Sequence, residues 1–118
     1  MAMYNYSKLD ASLCEFFPIA CVAEIGDGER LFIAIDDRSI VLFKIAGAYF
    51  AIADVCSHDD GPLGDGELDG FEVICPRHGA RFDVRDGTVK SLPAFVDIPA
   101  YPVRIVDDQI EIGVPAEP

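Results

Sequence analysis

The chain is expected to fold as an all-β domain, on three observations. Its apolar, β-branched runs are short, turn residues recur about every ten positions, and no segment carries a convincing helical period. Residues 7–14 have room for one or two helical turns at most. Leu31 to Ile35 and Ser39 to Ile45 are apolar runs separated by Asp36-Asp37-Arg38, which reads as a hairpin. Ala46-Gly47 turns the chain into a further strand, Tyr49 to Ala53. Asp69-Gly70 sits between Glu67-Leu68 and Phe71 to Ile74, a strong two-residue hairpin signal. Asp86-Gly87 and Asp107-Asp108 mark later turns, and Gln109 to Ile112 alternates polar and apolar as a half-buried strand does.

At 118 residues with 51% hydrophobic content, the chain has room for one domain with one core. No repeat or linker interrupts it, and residues 1–13 and 115–118 read as tails around a domain spanning 14–114. Nine basic residues against 21 acidic ones give a net charge of −12. That charge argues against nucleic-acid or anionic-membrane partners and suits steered docking onto basic patches of other proteins. No run approaches the ~18 apolar residues of a membrane span, and the first residues lack the apolar stretch of a secretory signal. A cytoplasmic protein is expected. In a reducing compartment Cys14 and Cys21 are expected to be small buried side chains rather than a disulfide.

The chemistry lies in two patterns, Cys56-Ser57-His58 and, after sixteen intervening residues, Cys75-Pro76-Arg77-His78. Both follow predicted strands and so fall on turns, with Gly61-Pro62-Leu63-Gly64 between them. Two thiolates and two imidazoles supply two donors to each of two irons, the ligand set of a Rieske [2Fe–2S] centre. His58 and His78 are the only histidines, which leaves none for acid–base catalysis or for a second, mononuclear iron. An electron carrier is therefore expected rather than an enzyme. Neutral imidazoles in place of two thiolates make electron uptake easier, so the potential should exceed that of all-cysteine ferredoxins. Gly61, Gly64 and Gly79 are expected to let the backbone approach the bridging sulfides, Pro62 and Pro76 to stiffen the loops, and Leu63 to screen the cluster from water.

The two motifs, with Gly-Pro-Leu after the first and Gly-Ala-Arg-Phe-Asp completing the second, resemble the Rieske ferredoxins, most closely those that feed bacterial aromatic-ring dioxygenases. The resemblance runs from about Phe16 to Val114. It implies the Rieske fold, an antiparallel β-sandwich base carrying a small cluster-binding subdomain at about residues 54–83. It also implies Cys56 and Cys75 on a buried ferric iron and His58 and His78 on an outer, redox-active iron. The implied partners are a flavin-dependent NAD(P)H reductase and a terminal Rieske non-haem iron oxygenase, served by a monomeric shuttle. Rieske proteins of cytochrome bc complexes carry a Cys in each loop where this chain has Gly61 and Arg77, and a Ser and a Tyr where it has Ala80 and Phe82. Without those hydroxyl donors, and with Asp59 and Asp60 beside His58, the potential is expected toward the low end of the Rieske range, without proton coupling near neutral pH. The expected electron port is His58 and His78, rimmed by Leu63, Pro62 and Pro76. Two alternatives remain at this point: an electron-entry or redox-sensing Rieske subunit of another complex, and a structural zinc module built on the same four donors.

Overall fold

The computed structural model describes residues 9–116. Among these residues, ten strands form three antiparallel sheets: β1 (Cys14–Cys21), β10 (Gln109–Pro115) and β9 (Val103–Val106) in that order; β2 (Arg30–Ile35), β3 (Arg38–Ile45), β4 (Ala48–Ala53) and β8 (Ala100–Tyr101); and the small sheet β5 (Leu68–Asp69), β6 (Glu72–Ile74) and β7 (Arg81–Asp83). The only helical pieces among the described residues are two 3₁₀ turns, Ala11–Leu13 and Val22–Glu24.

The four-residue run Ile40-Val41-Leu42-Phe43 explains how the sheets are stacked. Successive side chains of a strand point to opposite faces, so a continuous apolar run needs a core on each side. Val41 and Phe43 join Ile52 of β4 in one core with Leu63, Val73, Phe82, Val84 and Ile98. Ile40 and Leu42 join Ala51 and Ala53 in a second core with Ile110, Ile112 and Val114 of β10. The sheet containing β3 therefore has a core on both faces, one shared with the sheet of β10 and one with the small sheet that carries the ligand loops.

The turns follow the sequence with small shifts. Ala46-Gly47 and Asp107-Asp108 both take positive φ, as two-residue hairpin turns of matching twist require. The β2–β3 hairpin turns on Asp36-Asp37, with Arg38 already paired to Ile35. In the β5–β6 hairpin Asp69 pairs with Glu72, so the turn is Gly70-Phe71 rather than Asp69-Gly70. Gly70, at φ +63°, stands at the first turn position because it is the residue free to adopt that conformation.

Of the expected N-terminal tail, residues 1–8 lie outside the described residues, as do 117–118 of the C-terminal one. Leu9 N–H donates to Ala100 O at 3.0 Å, and Asp10 caps the first 3₁₀ turn through Ser12 N–H at 3.0 Å. Cys14 and Cys21 are half-buried free thiols, not fully buried ones. They stand at opposite ends of the eight-residue strand β1, roughly 20 Å apart at the usual rise, which excludes a bond between them. Instead, Gln109 Nε2 donates to Cys21 Sγ at 3.0 Å.

Candidate metal centre

The two ligand loops are built alike. After β4, Cys56 N–H donates to Gly61 O at 2.8 Å and Asp60 N–H donates back to Cys56 O at 2.7 Å. After β6, Cys75 N–H donates to Ala80 O at 2.7 Å and Gly79 N–H donates back to Cys75 O at 3.0 Å. Each loop thus closes around its cysteine with the same pair of bonds. Each also needs a positive φ at the fourth residue after the cysteine, met by Asp60 at +60° and Gly79 at +80°. Aspartate tolerates that conformation better than most side chains, so Asp60 occupies a conformational position as well as carrying charge. Asp54 completes the first loop, its Oδ1 accepting from Leu63 N–H at 2.8 Å and Gly64 N–H at 2.6 Å.

This local closure divides the four candidate donors by depth. Cys56 and Cys75 are buried in the same core as Leu63, Ala80 and Phe82, whereas His58 and His78 are exposed. The imidazole rings stand 5.0 Å apart, centroid to centroid, at 87°. Both thiols and a carboxylate oxygen of Asp59 lie within 4.8 Å of one another, and among the described residues neither imidazole forms such a group with the two thiols. A single tetrahedral zinc would need all four donors within about 2.0–2.3 Å of one point. The arrangement instead offers a thiol pair inside and an imidazole pair outside, which fits a binuclear centre with one pair on each iron. Burial pushes the Cys56 thiol up, and the neighbouring Cys75 adds to this.

Other expectations shift. The N–H groups of Gly61, Gly64 and Gly79 donate to Asp59 Oδ1, Asp54 Oδ1 and Cys75 O, so they close the loops rather than point at a cluster. Leu63 is fully buried, which suits a screen behind the thiols but removes it from the rim of the port. Pro62 and Pro76 are exposed beside the histidines, as expected. Asp59 does not present a bare charge: hydrogen bonds from Arg77 hold its carboxyl well below the usual carboxylate range. Sequence reasoning missed a third segment. Ser57 Oγ donates to Val96 O at 2.5 Å, and Ala94 is buried in the core that holds both thiols. This holds Val96 against the first loop, in a segment whose Leu92, Phe95 and Val96 are exposed. Only Ser91-Leu92-Pro93 hinted at a turn there, and nothing local ties it to the motifs.

Residues 15–102 match the Rieske [2Fe-2S] domain model, about three quarters of the chain. The chain belongs to the Rieske family. This Rieske chain is 33% identical over 105 residues to the anthranilate 1,2-dioxygenase ferredoxin subunit of Burkholderia cepacia, covering 89% of itself and 97% of that relative. It is 40% identical over 91 residues to the biphenyl dioxygenase ferredoxin subunit of Pseudomonas sp. strain KKS102, covering 75% and 84%. Among solved structures, the ferredoxin of Sphingomonas yanoikuyae B1 superposes with a TM-score of 0.78 at 30% identity, covering 86% of this chain and all of that one. The Rieske fold, the [2Fe–2S] cofactor and the role of electron carrier follow. No helix among the described residues is long and apolar enough to cross a membrane.

Proposed function

We propose that this chain is a monomeric, cytoplasmic ferredoxin that takes single electrons from a flavin-dependent NAD(P)H reductase and delivers them to a terminal Rieske non-haem iron oxygenase. In this reading Cys56 and Cys75 hold the inner iron, and His58 and His78 hold the outer one. The observation that carries it is the division by depth, two thiols buried and two imidazoles exposed, in a chain whose relatives are named as dioxygenase ferredoxin components. When bound, the cluster supplies a one-electron couple at intermediate potential. The residues do the rest. The buried thiols and Leu63 keep water from the inner side, and the exposed imidazoles bring the couple to the surface. The segment held to the first loop through Ser57 and Val96 exposes Leu92, Phe95 and Val96, on a chain of net charge −12. The acidic excess suits brief, steered docking better than permanent assembly, which favours the shuttle over a fixed electron-entry subunit.

The test is electron paramagnetic resonance of the purified protein before and after dithionite. A signal that appears only on reduction, with a mean g-value below that of all-cysteine ferredoxins, is expected. It should be lost in H58A and H78A. A colourless protein with no signal in either state, after expression with ample iron, would refute the electron-carrier reading and restore the zinc one.

A further inference from the structure

Each ligand loop carries one charged residue next to its histidine: Asp59 follows His58 and Arg77 precedes His78. The fold brings the two together. Arg77 Nε donates to Asp59 Oδ2 at 2.6 Å and Arg77 Nη2 donates to Asp59 Oδ1 at 2.8 Å, a two-pronged pairing. The third guanidinium nitrogen, Nη1, donates to Pro62 O at 2.6 Å. All three nitrogens of the second loop's arginine are therefore spent on the first loop. Gly61 makes room for them, since a Cβ there would meet Arg77 Cζ at 2.7 Å. Asp59 is fixed from its own side as well, because its Oδ1 accepts Gly61 N–H at 3.0 Å. The four cysteines are free, so no covalent bridge duplicates this link among the described residues.

The pair also stands at the mouth of the metal site. A carboxylate oxygen of Asp59 lies within 4.8 Å of the Cys56 and Cys75 sulfurs, and Oδ2 is 3.5 Å from His78 Nδ1. A hard anion so placed would disfavour electron uptake and compete for iron if it were free. Bound in the guanidinium fork, it is held in one orientation and its charge is compensated on the spot.

We propose that Asp59 and Arg77 form a non-covalent clip that locks the two ligand loops together and cancels, at the edge of the cluster, the charge each would present alone. The proposal rests on the [2Fe–2S] reading above, with both residues acting as positioning groups and not as ligands. It separates a mechanical part, which needs the fork geometry, from an electrostatic part, which needs only the opposite charge.

The experiment uses the full chain with its cluster, comparing wild type with D59N, R77Q, R77K and the double variant D59N/R77Q. Two quantities are read: the midpoint potential by spectroelectrochemical titration, and the rate at which the visible spectrum bleaches under excess EDTA. D59N should raise the potential and R77Q should lower it, because each leaves the partner's charge uncompensated, and the double variant should return close to wild type. Bleaching should accelerate about threefold or more in D59N and R77Q, with the double variant no faster than the worse single one, as for residues acting as a unit. R77K should keep the wild-type potential yet bleach like R77Q, since lysine restores the charge without the fork. Wild-type bleaching rates in D59N and R77Q, or potentials that move in the same direction in both, would overturn the clip. A wild-type protein without a cluster spectrum would overturn the functional reading itself, a failure visible before any variant is made.

Discussion

At the scale of single residues, the site is tuned as much by what is missing as by what is present. Ala80 and Phe82 are fully buried in the core that contains both thiols, and neither side chain has a donor. A hydroxyl at position 80 would place an O–H beside a site whose reduced form carries one more electron, and such a bond favours the reduced form. A80S should therefore raise the midpoint potential while leaving the visible spectrum of the oxidised protein nearly unchanged. Redox titration of the variant beside wild type checks both points, and an unchanged potential would show that position 80 does not face the cluster. The alanine is small enough that one added oxygen need not disturb packing. Phe82 is less forgiving, because a phenolic oxygen added to its fully buried ring must find room in a closed core.

At the scale of elements, the loops are held by close backbone contacts that only some residues permit. Gly66 lies at the end of the first loop, and a Cβ on it would stand 1.8 Å from Ile74 O, the carbonyl just before Cys75. No rearrangement of a side chain relieves a clash with backbone. G66A should force the first loop away from β6, lowering thermal stability and reducing iron content per chain in the purified protein. Iron assay and a melting curve measure the two effects, and a variant with full iron and the wild-type melt would mean that the loop tolerates the displacement. G70A is the contrast: it opposes nothing within 4 Å, so its cost is limited to the strained φ of the hairpin turn. How much of this was legible differs by element. Strands β2, β3, β4 and β10 stood out because a short apolar or alternating run bounded by turn residues is visible in the sequence itself. β1 did not, since Pro18 interrupts it. The proline is tolerated because β1 lies at a sheet edge and its pairing shifts register between Pro18 and Ala20. The spacing alone singled out Cys56, His58, Cys75 and His78 as candidate donors, and the fold places them on two adjoining loops. The Asp59–Arg77 pairing, the burial of Leu63 and the approach of Val96 to Ser57 were not legible, because each depends on which segments the sheets bring together.

At the scale of the whole molecule, two electrostatic effects oppose each other. With 21 acidic and nine basic residues, the folded chain repels itself at neutral pH, and salt screens that repulsion. Specific pairs such as Arg81 with Asp69 and Glu72, or Arg104 with Glu111, lose strength in salt, but exposed pairs contribute little to begin with. Repulsion should dominate, so the melting temperature at pH 7 should rise by roughly 2–5 °C between about 20 mM and about 500 mM NaCl. Acid brings the other effect forward. Burial pushes the Asp83 carboxyl up, but hydrogen bonds from the Arg85 side chain and N–H outweigh it, and the net shift is downward. A carboxylate whose folded value lies below its unfolded one contributes stability that is present above the unfolded value, about 3.9, and is lost as pH falls through the folded value. Mild acidification should therefore do little harm, because relief of repulsion offsets it, and stability should drop only below about pH 4. D83N should lower the melting temperature at pH 7 and show a shallower loss below pH 4 than wild type. Melting curves across pH in low and high salt separate the terms. A melting temperature that falls with salt at pH 7 would mean that the specific ion pairs, not the excess of acids, govern the electrostatics of this fold.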